Sequence, residues 1–465
     1  MVKNFNHSGK PGGGTGKFWN PEFPIRPRKF PFFYGWFLVF VATLGLCASM
    51  PGQTIGVGVF KTRLMEALGL SSMQLSVAYM LGTLLAAIFL GVGGRFFDRF
   101  GGRKALVYSV MALGLVLLGL SGIEWVSALF ERIPLLNLKI WLPPFICLMI
   151  GFGLLRYAGQ GMVTLSSRAI IGKWFDRRRG TVTAFSGALV SFMFSASPIC
   201  LEYLIRKFSW QGAWMVMGLF MLLVLVPFFW LFIRDNPEEC GLVMDGGPGK
   251  KARKPNPDSI AHRDYTRAEA ARTFSFWAFT LTFGLSGLVV TAYTFHILAI
   301  AAELTVSTDY ILMLFVPTAG VSVVSGFIIA SVTDLSFVRI KYLLVLMGVG
   351  GCGAYASIGF GSYPDISWLH IASFGLSGGC FASLSTIVWP RFYGRSHLGA
   401  ISGLFMTIIV ITSAVGPFLF NLGERVFGGY RPGFIVCAVI AAGLAVAAFW
   451  ADNPQRDHEP EIPGA

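Results

Sequence analysis

Twelve apolar stretches, each close to the length of a helix that crosses a bilayer, leave this chain few folds. They run 32–52, 73–93, 104–124, 142–167, 181–203, 212–233, 275–300, 310–332, 341–361, 367–389, 399–421 and 432–450. A crossing helix needs ~20 residues, and a barrel strand would instead show alternation over ~10. Hydrocarbon offers the backbone no hydrogen-bond partners, so only helices or closed barrels span it. The expected class is an all-α membrane protein with twelve transmembrane helices. Charged residues make up 13% of the 465, too few to cover a water-soluble globule of this size, in which about 25% is usual.

Lysine and arginine set the expected orientation. Of the 37, only Lys61, Arg63, Arg132, Lys139, Arg206, Lys207, Arg425 and Arg431 fall on the odd-numbered loops, and Arg156 alone falls inside a span. The rest lie on the tails and even-numbered loops, which are therefore expected to be cytoplasmic in a multi-pass protein of the inner (plasma) membrane. This placement accounts for the net charge of +14 without a nucleic-acid partner. Residues 1–31 read as a cytoplasmic tail without a signal peptide. Residues 32–233 and 274–451 form two six-helix bundles, 234–273 a cytoplasmic linker ending in a short surface helix, and 452–465 a second tail. Gly16-Lys17 follows a glycine run, but Pro11 and Phe18 break the phosphate-loop pattern. Seven scattered cysteines, six of them in apolar stretches and none in a CxxC or Cys/His cluster, predict neither a disulfide frame nor a metal site. No cofactor is expected.

The halves repeat. Asp235-Asn236-Pro237 recurs 217 residues later as Asp452-Asn453-Pro454, and Ala184-Phe185-Ser186-Gly187 recurs 216 later as Ala400-Ile401-Ser402-Gly403. Asp98 with Arg103 matches Asp334 with Arg339 at an offset of 236. Two bundles related by pseudo-symmetry are a common way to build a central pathway. Small residues such as the Gly399–Gly403 pair are expected to let helices pack closely.

Candidate pathway residues stand out by polarity within the spans. Arg156, Gln160, Thr164 and Ser167 are spaced to share one helix face, with Tyr157 beside them. A mid-bilayer arginine costs roughly 2.5–3.5 kcal/mol on insertion scales, so it should face a cavity or a partner. Two readings stay open: contact with an anion or coupling proton, or bonding to helix carbonyls. Gln53 follows Pro51-Gly52, which predicts a broken helix with free backbone groups. Tyr293, Thr294 and His296 lie near the outer end of span seven. His296 reads either as a proton-titrating group or as a hydrogen-bonded interfacial side chain. Thr318, Ser322 and Ser325 line one face of span eight.

Gly94-Arg95-Phe96-Phe97-Asp98-Arg99-Phe100-Gly101-Gly102-Arg103-Lys104 resembles the signature loop of the major facilitator superfamily, and Arg156-Tyr157-Ala158-Gly159-Gln160-Gly161 resembles its RxxxGxG element. That resemblance implies the major facilitator fold and a gating latch at Gly94, Asp98, Arg99, Gly101 and Arg103. Its second copy, at Asp334 and Arg339, lacks the glycines. Within the superfamily, Phe33-Tyr34-Gly35-Trp36, Trp174-Phe175-Asp176-Arg177-Arg178-Arg179-Gly180, Asn236 to Leu242, Phe295-His296 and Trp389 to Gly394 resemble the bacterial monocarboxylate transporter and oxalate–formate antiporter branch. Span eight departs from that branch by lacking an arginine.

The expected function is a secondary active transporter, a monomer in the lipid bilayer, moving a small organic anion such as a monocarboxylate by alternating access. It would run by proton coupling or by exchange. A carrier of an uncharged or amphipathic solute is the alternative within the fold. A non-transporting receptor or scaffold is the alternative outside it. An enzyme is not expected, because the spans hold no paired aspartates, HExxH or Ser/His arrangement.

Overall fold

The computed structural model describes residues 17–131, 141–175, 178–247, 263–333, 338–362, 364–394 and 397–458. Most of these are helical, with no strand among them. Eleven helical runs are long and apolar enough to cross a membrane, and one of them, Phe185–Phe232, holds two expected spans. The helices are α1 (Tyr34–Ala48), α2 (Ser72–Phe100), α3 (Gly102–Ser121), α4 (Leu142–Trp174), α5 (179–208) and α6 (210–232), then α7 (Phe274–Phe295), α8 (Phe315–Val332), α9 (Ile340–Phe360), α10 (Ser367–Tyr393), α11 (Leu398–Phe427) and α12 (Arg431–Ala447). The break between α5 and α6 is a single residue: Ser209 has φ 66° and ψ 170°. Its hydroxyl accepts from the Gly212 amide at 3.2 Å, starting the next helix as an N-cap does.

Within each half, corresponding helices approach through small residues, which hydrocarbon-embedded helices use because packing rather than water exclusion holds them together. A Cβ on Gly218 of α6 would lie 2.9 Å from the Gly114 carbonyl oxygen of α3, and one on Gly348 of α9 would lie 2.8 Å from Ala445 of α12. Gly153 of α4 meets Gly82 of α2, and Gly379 of α10 meets Gly326 of α8. The expectation for Gly399–Gly403 fails at Gly403, which faces open space.

The ends of each half are tied together at the end of the molecule that carries the termini. Arg234, just after α6, is 1% exposed and donates to the carbonyls of Pro21, Phe23, Ile25, Leu231 and Ile233. Its guanidinium thereby satisfies both the open C-terminus of α6 and the segment leading into α1. Tyr34 donates to the Phe232 carbonyl at 2.6 Å, and Arg28 to that of Cys240 at 2.8 Å. Residues 17–31, expected as a tail, are thus packed on the first bundle. In the second half, Ser275 donates to the Asp452 carbonyl, Tyr265 to the Pro454 carbonyl, and Gln455 to the carbonyls of Arg263 and Phe392. The linker's expected short helix is Arg267–Ala270, opened by a capping box between Thr266 and Glu269.

The repeated Asp-Asn-Pro motif has matching work in the two halves. Asp235 Oδ1 accepts from the Arg103 amide at 2.6 Å, capping α3. Asp452 Oδ2 accepts from Lys341 Nζ at 2.7 Å, at the start of α9. Each acid after a half's last helix therefore anchors that half's third helix.

Candidate functional site

The chain between α1 and α2 builds the core of the site. Proline cannot donate its backbone nitrogen, and here the helix stops at Ala48, makes a tight turn at Met50–Gly52, resumes over Thr54–Gly58 and again over Lys61–Leu68. The break packs against α4, which is itself irregular. Arg156–Val163 is a wide π-type turn, a form often found at functional sites. Gly52 and Gly159 meet face to face: a Cβ on Gly52 would sit 2.7 Å from the Gly159 Cα. Two glycines are thus what allow a broken helix to lie against a widened one.

That contact brings free backbone to Arg156. Its Nη1 donates to the Gly52 carbonyl at 3.4 Å and to Thr54 Oγ1 at 3.3 Å, both long. The side chain is 3% exposed, and its Nε is buried without a hydrogen-bond partner among the described residues. The guanidinium lies over the Tyr79 ring, 5.4 Å from its centroid, and Tyr79 donates to Thr54 at 2.7 Å. A cation–π contact supplies part of the stabilisation that a carboxylate would otherwise give. The arginine is held at the meeting of α1, α2 and α4 with its hydrogen-bonding capacity unfilled.

Gln160 is exposed, whereas Arg156 and Ser167 are buried. Ser167 Oγ lies against Gly45 of α1. Thr164 reaches back five residues to the Gly159 carbonyl at 3.4 Å, and the Tyr157 hydroxyl lies against Gly93 of α2. Gln53 donates to Ser49 Oγ at 3.1 Å and stays partly exposed beside the break.

Two expected pathway residues sit elsewhere. Tyr293 is 2% exposed in the second half's core, ringed by Phe315, His370, Phe374 and Phe434. Its polar hydroxyl suggested a lining position, but the helix turns it inward. Ser322 Oγ faces Gly378 of α10, and Ser325 donates to the Gly375 carbonyl there at 3.2 Å. The polar face of α8 is therefore a packing face within the bundle.

His296 lies where the halves meet. It is 1% exposed, with Nδ1 2.6 Å from Lys61 Nζ and Nε2 2.9 Å from the Pro417 carbonyl oxygen. Other contacts join the halves beside it. The Phe295 ring is 4.7 Å from that of Tyr79, Asn421 of α11 donates to Ser72 of α2, and Arg206 of α5 pairs with Asp309 at 2.8 Å. Arg206 also holds Glu202 at 3.0 Å, which Arg63 grips with two nitrogens at 2.9 and 2.8 Å. Among the described residues, the hydrogen bonds joining the halves all lie at the end opposite the termini, and they close that end. Lys61, Tyr79, Thr54 and Glu202 were not singled out from sequence. Lys61 and Arg63 read as loop charges.

The signature-loop residues lie at the other end. Gly101 has φ 84°, a conformation favouring glycine, and faces Asp235. Arg103 is 2% exposed and donates to the carbonyls of Asn20, Phe23 and Trp230, all within the first half. Arg99 is exposed beside Phe100, Gly94 faces open space, and Arg339 is exposed where α9 begins. The Asp98 side chain and all of Asp334 lie outside the described residues.

A family model described as Major Facilitator Superfamily matches residues 42–417. No curated protein matches the chain. Among solved structures, it is similar to a bacterial homologue of the human lysosomal transporter Spinster in an inward-facing, unoccupied conformation, with TM-score 0.57 and 14% identity over 93% of this chain and 99% of that one. The occupied, inward-facing structure of such a homologue gives TM-score 0.59 and 14% identity over 90% and 97%.

Proposed function

Because the chain belongs to the Major Facilitator Superfamily, a family of membrane transporters, we propose that it is a secondary carrier of a small organic anion, a monocarboxylate by its sequence resemblance, working by alternating access. The tails and linker are taken as cytoplasmic from the lysine and arginine distribution, which makes the joined end of the halves the outer one. The observation that carries the anion reading is Arg156. A buried guanidinium without a carboxylate partner is costly. This one has an idle Nε and two long bonds, so a substrate carboxylate would complete it.

The polar face of α8 gives the second half no counter-charge, and its serines turn to α10. That favours a substrate whose charged end sits on the first half and whose remainder is apolar. It also supports the alternative of an uncharged, amphipathic solute.

The test is uptake of labelled carboxylates into proteoliposomes. Arg156→Ala should lose uptake by at least about tenfold, and Arg156→Lys should keep the charge but not the paired geometry. Competition by none of the carboxylates, or full uptake by Arg156→Ala, would remove the assignment.

A further inference from the structure

We propose that Lys61 and His296 together are the binding site of a coupling proton, and that proton uptake there opens the outer closure between the halves. The inference rests on the carrier reading above.

The geometry fixes the tautomer. The Pro417 carbonyl only accepts, so His296 Nε2, 2.9 Å away, carries its hydrogen. Neutral His296 then has a lone pair on Nδ1, and Lys61 Nζ donates to it at 2.6 Å. A second proton on the imidazole can go only to Nδ1, where it meets the amine's own hydrogens and converts a hydrogen bond into a repulsion. The two groups come from opposite halves, so the closed form holds one proton fewer than two separated, hydrated groups would. They titrate as a pair rather than singly.

Among the described groups around Lys61, the Glu424 carboxylate favours its charge, and burial outweighs it. From the helix Lys61–Leu68, Arg63 is committed to Glu202. From α7, Phe295 presents its ring 5.5 Å from Lys61 Nζ. From α11 come the Pro417 carbonyl and Glu424, whose carboxylate acts on Lys61 electrostatically. Before α12, the Tyr430 ring lies 4.7 Å from His296, and burial pushes its phenol up to about 12, so it stays a hydroxyl. Glu303 is occupied by the Tyr430 and Arg431 amides.

Burial pushes the Lys61 ammonium down to about 7 from its ordinary 10.5. The sign agrees with the geometry. The closed state binds protons more weakly than the open one, so closure is favoured most above the open-state value, 10.5 for an ordinary lysine, and that advantage is lost progressively as pH falls to about 7 and through it. Opening also lifts Phe295 off Tyr79 and uncovers Arg156. An anion would then enter only after a proton had been taken up.

The experiment needs no substrate, so it is independent of which solute is carried. Spin labels at Ala67→Cys and Ala302→Cys, on exposed sites of the two outer ends, report their separation in a background without the seven native cysteines. From about pH 8 to about pH 5, the open fraction should rise about tenfold or more, one pKa unit being tenfold. In Lys61→Gln the change should fall below about twofold, and in His296→Gln it should shrink while persisting in part, because Lys61 stays buried. No pH response in the unsubstituted pair, or an unaltered response in either variant that folds, overturns the proposal. Both variants keep a hydrogen-bonding group, and either suffices if the other fails to fold.

Discussion

Gly58 offers a sharp test of the outer closure. It lies in the resumed helix after the α1 break and faces the end of α7. A Cβ there would fall well inside contact distance of the Thr294 carbonyl oxygen, 3.0 Å from the Thr294 carbonyl carbon and 3.1 Å from the Phe295 Cα. Those atoms are backbone, so none can swing aside as a side-chain tip would. Two outcomes are available to Gly58→Leu: the closed state absorbs the overlap, or the halves part. Overpacking a tight contact costs about 1–3 kcal/mol, and the open state, in which the contact is absent, escapes that cost. A bias of this size shifts the closed–open ratio roughly 5- to 150-fold. The assay is labelling of Gln53→Cys, beside the break, by a membrane-impermeant thiol reagent applied from the side opposite the termini. Gly58→Leu should raise the labelling rate by a factor in that range, and Gly58→Ala by less. Gly423→Ala, where nothing lies within 4 Å, should leave it unchanged. Equal labelling in Gly58→Leu and the parent would refute the view that this contact closes the pathway.

Other outcomes follow from named contacts. Glu202→Gln removes the carboxylate from Arg63, which is 28% exposed, and should cost about 1–3 kcal/mol, read as a lower Tm and faster outer labelling. Asp235→Ala deprives α3 of its cap and should lower stability by about 0.5–2 kcal/mol, with substrate affinity unchanged in a binding assay. Gly159→Leu should push the α1 break off α4 and abolish uptake while leaving the outer spin-label distance within its normal range. A normal uptake rate in that variant would show that the Gly52–Gly159 approach is incidental.

The twelve helices were legible because hydrocarbon imposes length and apolarity directly on sequence. The α5–α6 boundary was legible too, although the helical run is almost continuous, since Arg206 and Lys207 mark where it meets the surface. The Asp-Asn-Pro repeat was visible as spacing, and the structure supplies its reason in the anchoring by Asp235 and Asp452. Side-chain direction was less legible. The π-turn over Arg156–Val163 was not legible, because no periodicity argument anticipates a widened turn. Tyr293 and Ser322 look like lining residues because polarity within a span suggests a pathway, but polar atoms in a bundle also find partners between helices. The Lys61–His296 pair was hidden because its members are 235 residues apart and belong to different halves. A contact of that kind depends on a conformation, and a lysine beside an expected loop gives no sign of being buried.

The tying of each half's ends bears on how motion is divided along the chain. Arg234 and Tyr34 fasten the first half's beginning to its finish, and Ser275, Tyr265 and Gln455 do the same for the second. Each bundle is therefore a closed loop of chain, its clasp made in part by residues at the two ends of the linker, Arg234 and Tyr265. With start and finish adjacent in both, a permuted chain beginning at the second bundle keeps the same ties within each bundle.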